Sequence, residues 1–160
     1  MNILRQLVVR RLTAIKQQRQ NKEFGLLIPL DRIARLVSDV VLYRLATPPC
    51  YRGLTLEVLQ QIYNGCGPDW MPEASREVLT RIFTFFEPAF LIHDVEYQYS
   101  DGTRDGFQAA NRRLYNNCRR LIREKCNFRQ HPAVSLWYEF QAWNIYQACR
   151  QFGWSAWCDE

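Results

Sequence analysis

The sequence has no apolar run long enough to cross a membrane, because charged residues interrupt every such run before the roughly 18 residues that a span requires. Strand-type alternation is weak throughout. Only two histidines are present, His93 and His131. The N-terminus carries a charge inside its apolar stretch and has no small-residue cleavage site, so it makes a poor secretion signal. We therefore expect a cytoplasmic or peripheral membrane protein rather than a membrane-spanning or generally secreted one.

The six cysteines do not follow the spacing of a disulfide framework or of a zinc site. Their intervals are wide and irregular, and no tight Cys or His pair accompanies them. Buried free thiols are the better expectation. The positions are Cys50, Cys66, Cys118, Cys126, Cys149 and Cys158.

Composition and charge indicate one domain with an anionic partner. The 160 residues are 48% hydrophobic, which is enough for one real core, and no linker interrupts residues 1–160. The net charge of +5 fits phospholipid head groups as well as nucleic acid. Residues 1–20 predict an amphipathic basic helix, a type of segment that binds anionic lipid surfaces or packs on its own domain. The arginine pairs that suggest nucleic acid are equally well explained as a solvated helix face, so nucleic acid is an unlikely partner.

Helical periodicity extends over nearly the whole chain and predicts an all-α fold. The predicted helices cover residues 30–45, 54–62, 89–99, about 104–125 and 136–152, with a further helix opening at Pro72. Pro88 is expected to end or kink that helix. Asn64 and Gly65 form a natural left-handed end for the helix before them.

A glycine-bracketed loop and a later His-Asp pair are the strongest candidates for chemistry. Backbone carbonyls of Gly65 and Gly67 can turn toward a cation, while Asp94 supplies a carboxylate and His93 a base. His93 and Tyr97 share one helix face. A lone histidine on such a face is more often a structural residue, and the loop is what favours the catalytic interpretation. His131 is expected to be exposed.

Asn111 is a polar residue on the apolar face of the helix that begins near Arg104. A buried amide needs a hydrogen-bond partner, which is either backbone in the core or a side chain on a packed helix. The functional prediction is that Asn111 pairs with the imidazole of His93 and fixes which ring nitrogen accepts a proton.

Together these segments resemble the phospholipase A2 superfamily, particularly its compact bacterial, phage and viral capsid forms. The resemblance covers residues 63–118 and depends on the loop at 65–67, the His93–Asp94 pair with Tyr97 one turn later, and the segment Ala110–Leu114. It implies a phospholipase A2-like helical core with additional N- and C-terminal helices. The occurrence of the three segments in this order along the chain is a moderately specific signature of the family.

The resemblance implies a calcium-dependent hydrolase of the sn-2 ester of glycerophospholipids. Carbonyls of Gly65, Gly67 and Asp69, with the carboxylate of Asp94, would hold calcium, and His93 would be the general base on water. Tyr97 would support this helix structurally.

Two departures from the family pattern bear on activity. Where relatives pair the histidine with Asp, this chain has Asn111, which can orient an imidazole but cannot balance its charge. Asp105 can substitute for the missing carboxylate or, as its place near a helix start favours, interact with the helix dipole. Pro68 and Asp69 stand where the second glycine of the usual loop is expected.

The alternative prediction is a catalytically inactive phospholipase A2-like binding protein or phage structural protein. Asn111 is the feature that favours it. Under either interpretation the expected partner is an anionic phospholipid surface, reached in place or through delivery by a phage or a specialised secretion route.

Overall fold

The computed structural model describes residues 28–63, 65, 79–80 and 82–158. These residues include six α-helices and two single-turn 3-10 helices, Pro49–Tyr51 and Thr84–Phe86, and they contain no strand. The all-α prediction is therefore confirmed. The predicted basic helix at residues 1–20 lies outside the described residues. The helices are α1 (Leu30–Leu42), α2 (Leu56–Ile62), α3 (Glu87–Gln98), α4 (Arg104–Lys125), α5 (Pro132–Phe152) and α6 (Trp154–Cys158).

Helix starts are set by threonine caps and by prolines in first turns. The Thr103 hydroxyl accepts a hydrogen bond from the backbone N–H of Gly106 at 3.0 Å and begins α4. Pro88 and Pro132 each occupy the first turn of a helix, where a missing N–H costs nothing. Consequently α3 begins at Glu87 rather than at the predicted residue 89, and α5 begins at Pro132 rather than at 136.

α3 is the central helix, and it packs against α1, α2 and α4. A helix surrounded by neighbours should be apolar nearly all round, and α3 is buried on almost every side. It nevertheless carries Glu87, His93 and Glu96 among its buried residues. Buried polar groups in such a helix need partners from the surrounding helices. The neighbouring helices α1 and α4 supply these partners to α3.

Three polar contacts tie the flanking segments to this core. Arg32 on α1 pairs with the buried carboxylate of Glu87. On the other side, Arg120 Nε donates to the carbonyl oxygen of Tyr43 at 2.7 Å. Both ends of the Asn117 amide bond the backbone of Ala46. α4 therefore holds the segment after α1 through side chains that satisfy backbone groups outside any helix.

α6 closes the end of the α3–α4 pair. Its Trp157 is buried and donates from Nε1 to the carbonyl oxygen of Thr103 at 3.0 Å, while the Ser100 hydroxyl donates to the carbonyl oxygen of Trp157 at 2.6 Å. Trp157 is thus core, whereas Trp137 and Trp143 on α5 are exposed. None of the five cysteines within the described ranges forms a disulfide. No helix in the described part of the chain is both long and apolar enough to cross a membrane.

Candidate functional site

His93 and Asn111 face each other across the contact between α3 and α4. The ring Nε2 of His93 lies 3.0 Å from the amide Oδ1 of Asn111, and both side chains are buried. Helical periodicity had placed Asn111 on the apolar face of its helix, and the contact predicted from that position is present. The chemical roles of the two residues stay predictions.

The contact fixes the tautomer of the imidazole. An amide oxygen only accepts hydrogen bonds, so Nε2 of His93 carries the proton and donates it, and Nδ1 is the nitrogen that keeps its lone pair. Burial lowers the pKa of His93 to about 4, and the hydrogen bond to Asn111 opposes this shift only in part. The ring is therefore neutral at pH 7 and available as a base of modest strength.

Tyr97 covers one side of the imidazole. Its ring centroid lies 4.4 Å from that of His93, and it meets the ring of Trp157 edge-on at 5.2 Å. Burial raises the pKa of Tyr97, and Cys149 and Asp94 add to the rise. A Cβ on Gly153 would lie 2.3 Å from the Tyr97 hydroxyl, so only glycine fits at this position. Tyr97 is thus held between α3 and the C-terminal end of the chain, in agreement with a structural role.

Asp94 is partly buried and lies near α5. Its charge raises the pKa of Cys149, which burial as the main cause brings to about 12. Cys149 is consequently a neutral thiol at physiological pH.

The glycine loop is described only at its first residue. Gly65 has φ +92°, the left-handed region predicted for this position, and a Cβ there would lie 2.7 Å from the Thr80 hydroxyl. Gly67 and Asp69 lie outside the described residues. Within the described ranges, no group of three or more His, Cys, Asp or Glu side chains is placed to hold a metal ion.

The two described members of the proposed calcium set have suitable chemistry, since a carbonyl and a carboxylate are oxygen ligands of the kind calcium takes. The complete set, which includes Gly67 and Asp69, remains a prediction.

Asp105 lies in the exposed first turn of α4. The imidazole of His93 has Asn111 as its hydrogen-bond partner. A carboxylate in the first turn of a helix is favoured by the helix dipole, which accounts for Asp105 without any role toward His93. His131, the other histidine, is exposed as expected.

Two features were missed from the sequence. The first is the pair of buried glutamates on α3: Glu96 pairs with Arg113 and Glu87 with Arg32. Burial raises the pKa of Glu96 to about 7 against the lowering effect of Arg113. It also raises the pKa of Glu87, which Arg32 and the Tyr63 hydroxyl oppose. Glu87 thereby anchors the residues just before the glycine loop.

The second missed feature is a pocket of about 390 Å³ between α4 and α5. Its wall includes Arg104, Gln108, Asn111 and Arg112 from α4 and Tyr146 and Arg150 from α5. The spacing of Arg104, Gln108 and Arg112 at four-residue intervals was a signal that these side chains share a face. No sequence pattern placed Arg150 opposite them.

No family model, curated protein or solved structure matches this chain.

Proposed function

We propose that the chain is a phospholipase A2-like, calcium-dependent hydrolase that cleaves the sn-2 acyl ester of glycerophospholipids. The contact of 3.0 Å between His93 Nε2 and Asn111 Oδ1 carries the proposal. A buried histidine on one helix, oriented by a side chain on the next and followed by Asp94, is the arrangement that hydrolysis by an activated water requires. The order of loop, pair and orienting residue along the chain supports the same class.

In the proposed reaction, Nδ1 of His93 takes a proton from water, and the resulting hydroxide attacks the ester carbonyl carbon. The tetrahedral intermediate then expels the sn-2 oxygen of the lysophospholipid, which receives the proton from the imidazolium. The Nε2–H bond to Asn111 holds the ring orientation during both transfers. No acyl-enzyme forms, so a nucleophilic Ser or Cys is unnecessary.

Calcium, when bound, supplies positive charge that stabilises the oxyanion of the intermediate. Carbonyls of Gly65, Gly67 and Asp69 and the carboxylate of Asp94 would hold it. The partly buried Asp94 follows His93 directly on α3, so the ligand and the base belong to one rigid helix.

The proposed place of action is an anionic phospholipid surface, and α5 offers an apolar face that suits it. Leu136, Phe140 and Trp143 lie at i, i+4 and i+7, and they are 60, 57 and 45% exposed. Large apolar and tryptophan side chains on one helix face are typical of interfacial binding. The predicted basic helix at residues 1–20 would add electrostatic attraction to anionic lipid.

Fatty-acid release from mixed phospholipid vesicles, measured with calcium and with a chelator, tests the proposal. We expect release by the wild type only with calcium, and none by His93→Gln. His131→Gln is the matched control, since it removes the exposed histidine, and it should retain wild-type activity. Release that persists in His93→Gln would contradict the assignment of the base.

A second candidate is a catalytically inactive binding protein with the same arrangement of helices. Its support is that burial lowers the pKa of His93, while the neutral amide of Asn111 supplies no negative charge to balance the imidazolium that forms during hydrolysis. Calcium-independent vesicle binding without fatty-acid release, in a folded protein, would select this candidate.

A further inference from the structure

The pocket between α4 and α5 has strongly one-sided charge. Three arginines line it, Arg104, Arg112 and Arg150, and no carboxylate does. None of the three forms an ion pair with any residue that the structure describes. Three guanidinium groups around one concavity repel each other unless an anion lies between them. The pocket is thus built for a negatively charged ligand.

Aromatic rings hold two of the three guanidinium groups. Arg104 lies over the ring of Trp154, with 4.5 Å from its Cζ to the ring centroid, and Arg150 lies over Tyr146 at 5.4 Å. Arg112 contacts the side chain and carbonyl oxygen of Gln108 at 3.4 Å. Side chains already restrained in this way lose less entropy when they bind a ligand.

Asn111 links the pocket to His93. It is fully buried and forms part of the pocket wall. Its Oδ1 accepts from His93 Nε2, and its amide also acts on the Tyr97 hydroxyl, since burial raises the pKa of Tyr97 and Asn111 opposes that rise. The arginines are therefore the ligand-binding groups of the pocket, and Asn111 connects its wall to the imidazole.

We propose that this pocket binds a phosphate group, with Arg104, Arg112 and Arg150 around the anionic oxygens. Phosphate suits the arrangement because its several oxygens can accept from more than one guanidinium at once. His93 is not part of the pocket wall, so the phosphate site is separate from the reacting atoms and goes beyond the proposed hydrolysis. The ligand is a phospholipid head group or a soluble phosphate ester, which share this chemistry.

One side chain separates this site from the imidazole. Asn111 belongs to the pocket wall and contacts His93 through Oδ1, so a phosphate in the pocket places negative charge near the ring. The electrostatic environment of the ring therefore changes on binding. This coupling gives the site a spectroscopic readout that does not require hydrolysis.

Calorimetric titration of the full-length protein with inorganic phosphate, carried out in the absence of calcium, tests the site. We expect saturable binding that weakens with salt, and a loss of affinity of about tenfold or more in the double variant Arg112→Gln, Arg150→Gln. Arg123→Gln combined with Arg129→Gln is the matched control, because it removes two exposed arginines outside the pocket. Equal affinity in the two double variants would overturn the proposal, as would no binding by the wild type.

Imidazole NMR spectra supply the second measurement. Phosphate should move the ring resonances of His93 and leave those of His131 in place, and the double variant Arg112→Gln, Arg150→Gln should abolish the movement. A movement of both histidines, or of neither at saturation, contradicts the coupling.

A competition experiment separates the two sources of phosphate. Displacement of the protein from phosphatidic acid vesicles by glycerol phosphate would support the head group as the ligand. Equal vesicle binding by the wild type and the pocket variant, together with phosphate binding by the wild type alone, would support a soluble ester. Neither result depends on fatty-acid release, so failure of the proposed hydrolysis leaves this test intact.

Discussion

Asn117 bonds the backbone of Ala46 with both ends of its amide: Oδ1 accepts from the N–H at 2.8 Å, and Nδ2 donates to the carbonyl oxygen at 2.9 Å. Asn111 lies on the same helix and is equally buried, yet its Oδ1 contacts a side chain, the imidazole of His93. One asparagine therefore holds the backbone of the fold, while the other orients a side chain of the candidate site. From the sequence the two look alike.

Loss of the Asn117 amide should destabilise the protein strongly. Asn117→Ala removes both bonds to the Ala46 backbone and the volume of a buried side chain, and we expect the free energy of unfolding to fall by about 2–4 kcal/mol. Urea denaturation followed by circular dichroism measures the change. Asn116→Ala removes an exposed amide from the same helix and should change the free energy little. Similar losses in the two variants would argue against the backbone contact.

His93 should make stability depend on pH in the acid range. Its pKa is about 4 in the folded protein and about 6.5 when unfolded. Between these values the unfolded chain binds a proton that the folded chain does not, so stability falls as pH drops from 6.5 to 4. The loss attributable to His93 approaches about 3 kcal/mol. Urea denaturation at several pH values should show a shallower decline for His93→Gln than for the wild type, and parallel curves would contradict the shift.

Asn111→Asp should raise lipid hydrolysis if His93 is the base. A carboxylate balances the imidazolium that forms in the reaction, whereas the amide only orients the ring, and the expected gain is about tenfold or more. Initial rates of fatty-acid release with calcium measure it, and His93→Gln should abolish activity in both backgrounds. Asp105→Asn should have no effect. No gain from Asn111→Asp, together with inactivation by Asp105→Asn, would make Asp105 the true partner.

Asp94→Asn should weaken calcium binding, since it replaces the one carboxylate that the resemblance assigns to the ion on α3. Calorimetric titration with calcium should show a clear loss of affinity relative to the wild type. Asp31→Asn is the control, because Asp31 is exposed and pairs only with Arg35 within the described residues. Equal affinity of wild type and Asp94→Asn would remove the proposed calcium site.

Arg113→Gln should destabilise the protein more at pH 8 than at pH 5. Glu96 is buried with Arg113 as its ion-pair partner, and burial already raises its pKa to about 7. Without the guanidinium the pKa rises further, so at pH 8 folding requires either a buried unpaired charge or proton uptake. At pH 5 the carboxyl is protonated in any case. We expect the free energy of unfolding at pH 8 to fall by about 3 kcal/mol, and urea denaturation measures this change. A cost independent of pH would contradict the shift.

Helical periodicity and proline positions were sufficient to predict the all-α class and most helix boundaries. The spacing of apolar residues reports directly on which face of a helix is buried, and α4 was predicted to within a residue at each end. Pro88 and Pro132 displaced two starts because a proline is tolerated in the first turn, a possibility that the apolar pattern alone does not reveal.

The sequence by itself determined that His93 and Asn111 both point inward, since each lies on a buried helix face. Their contact, the lowered pKa of His93 and the ion pair of Glu96 with Arg113 depend on how α3 and α4 pack, because desolvation and pairing arise only between elements. The same holds for the arginine pocket. Four-residue spacing aligned Arg104 with Arg112, but only the packing of α5 against α4 brought Arg150 to them.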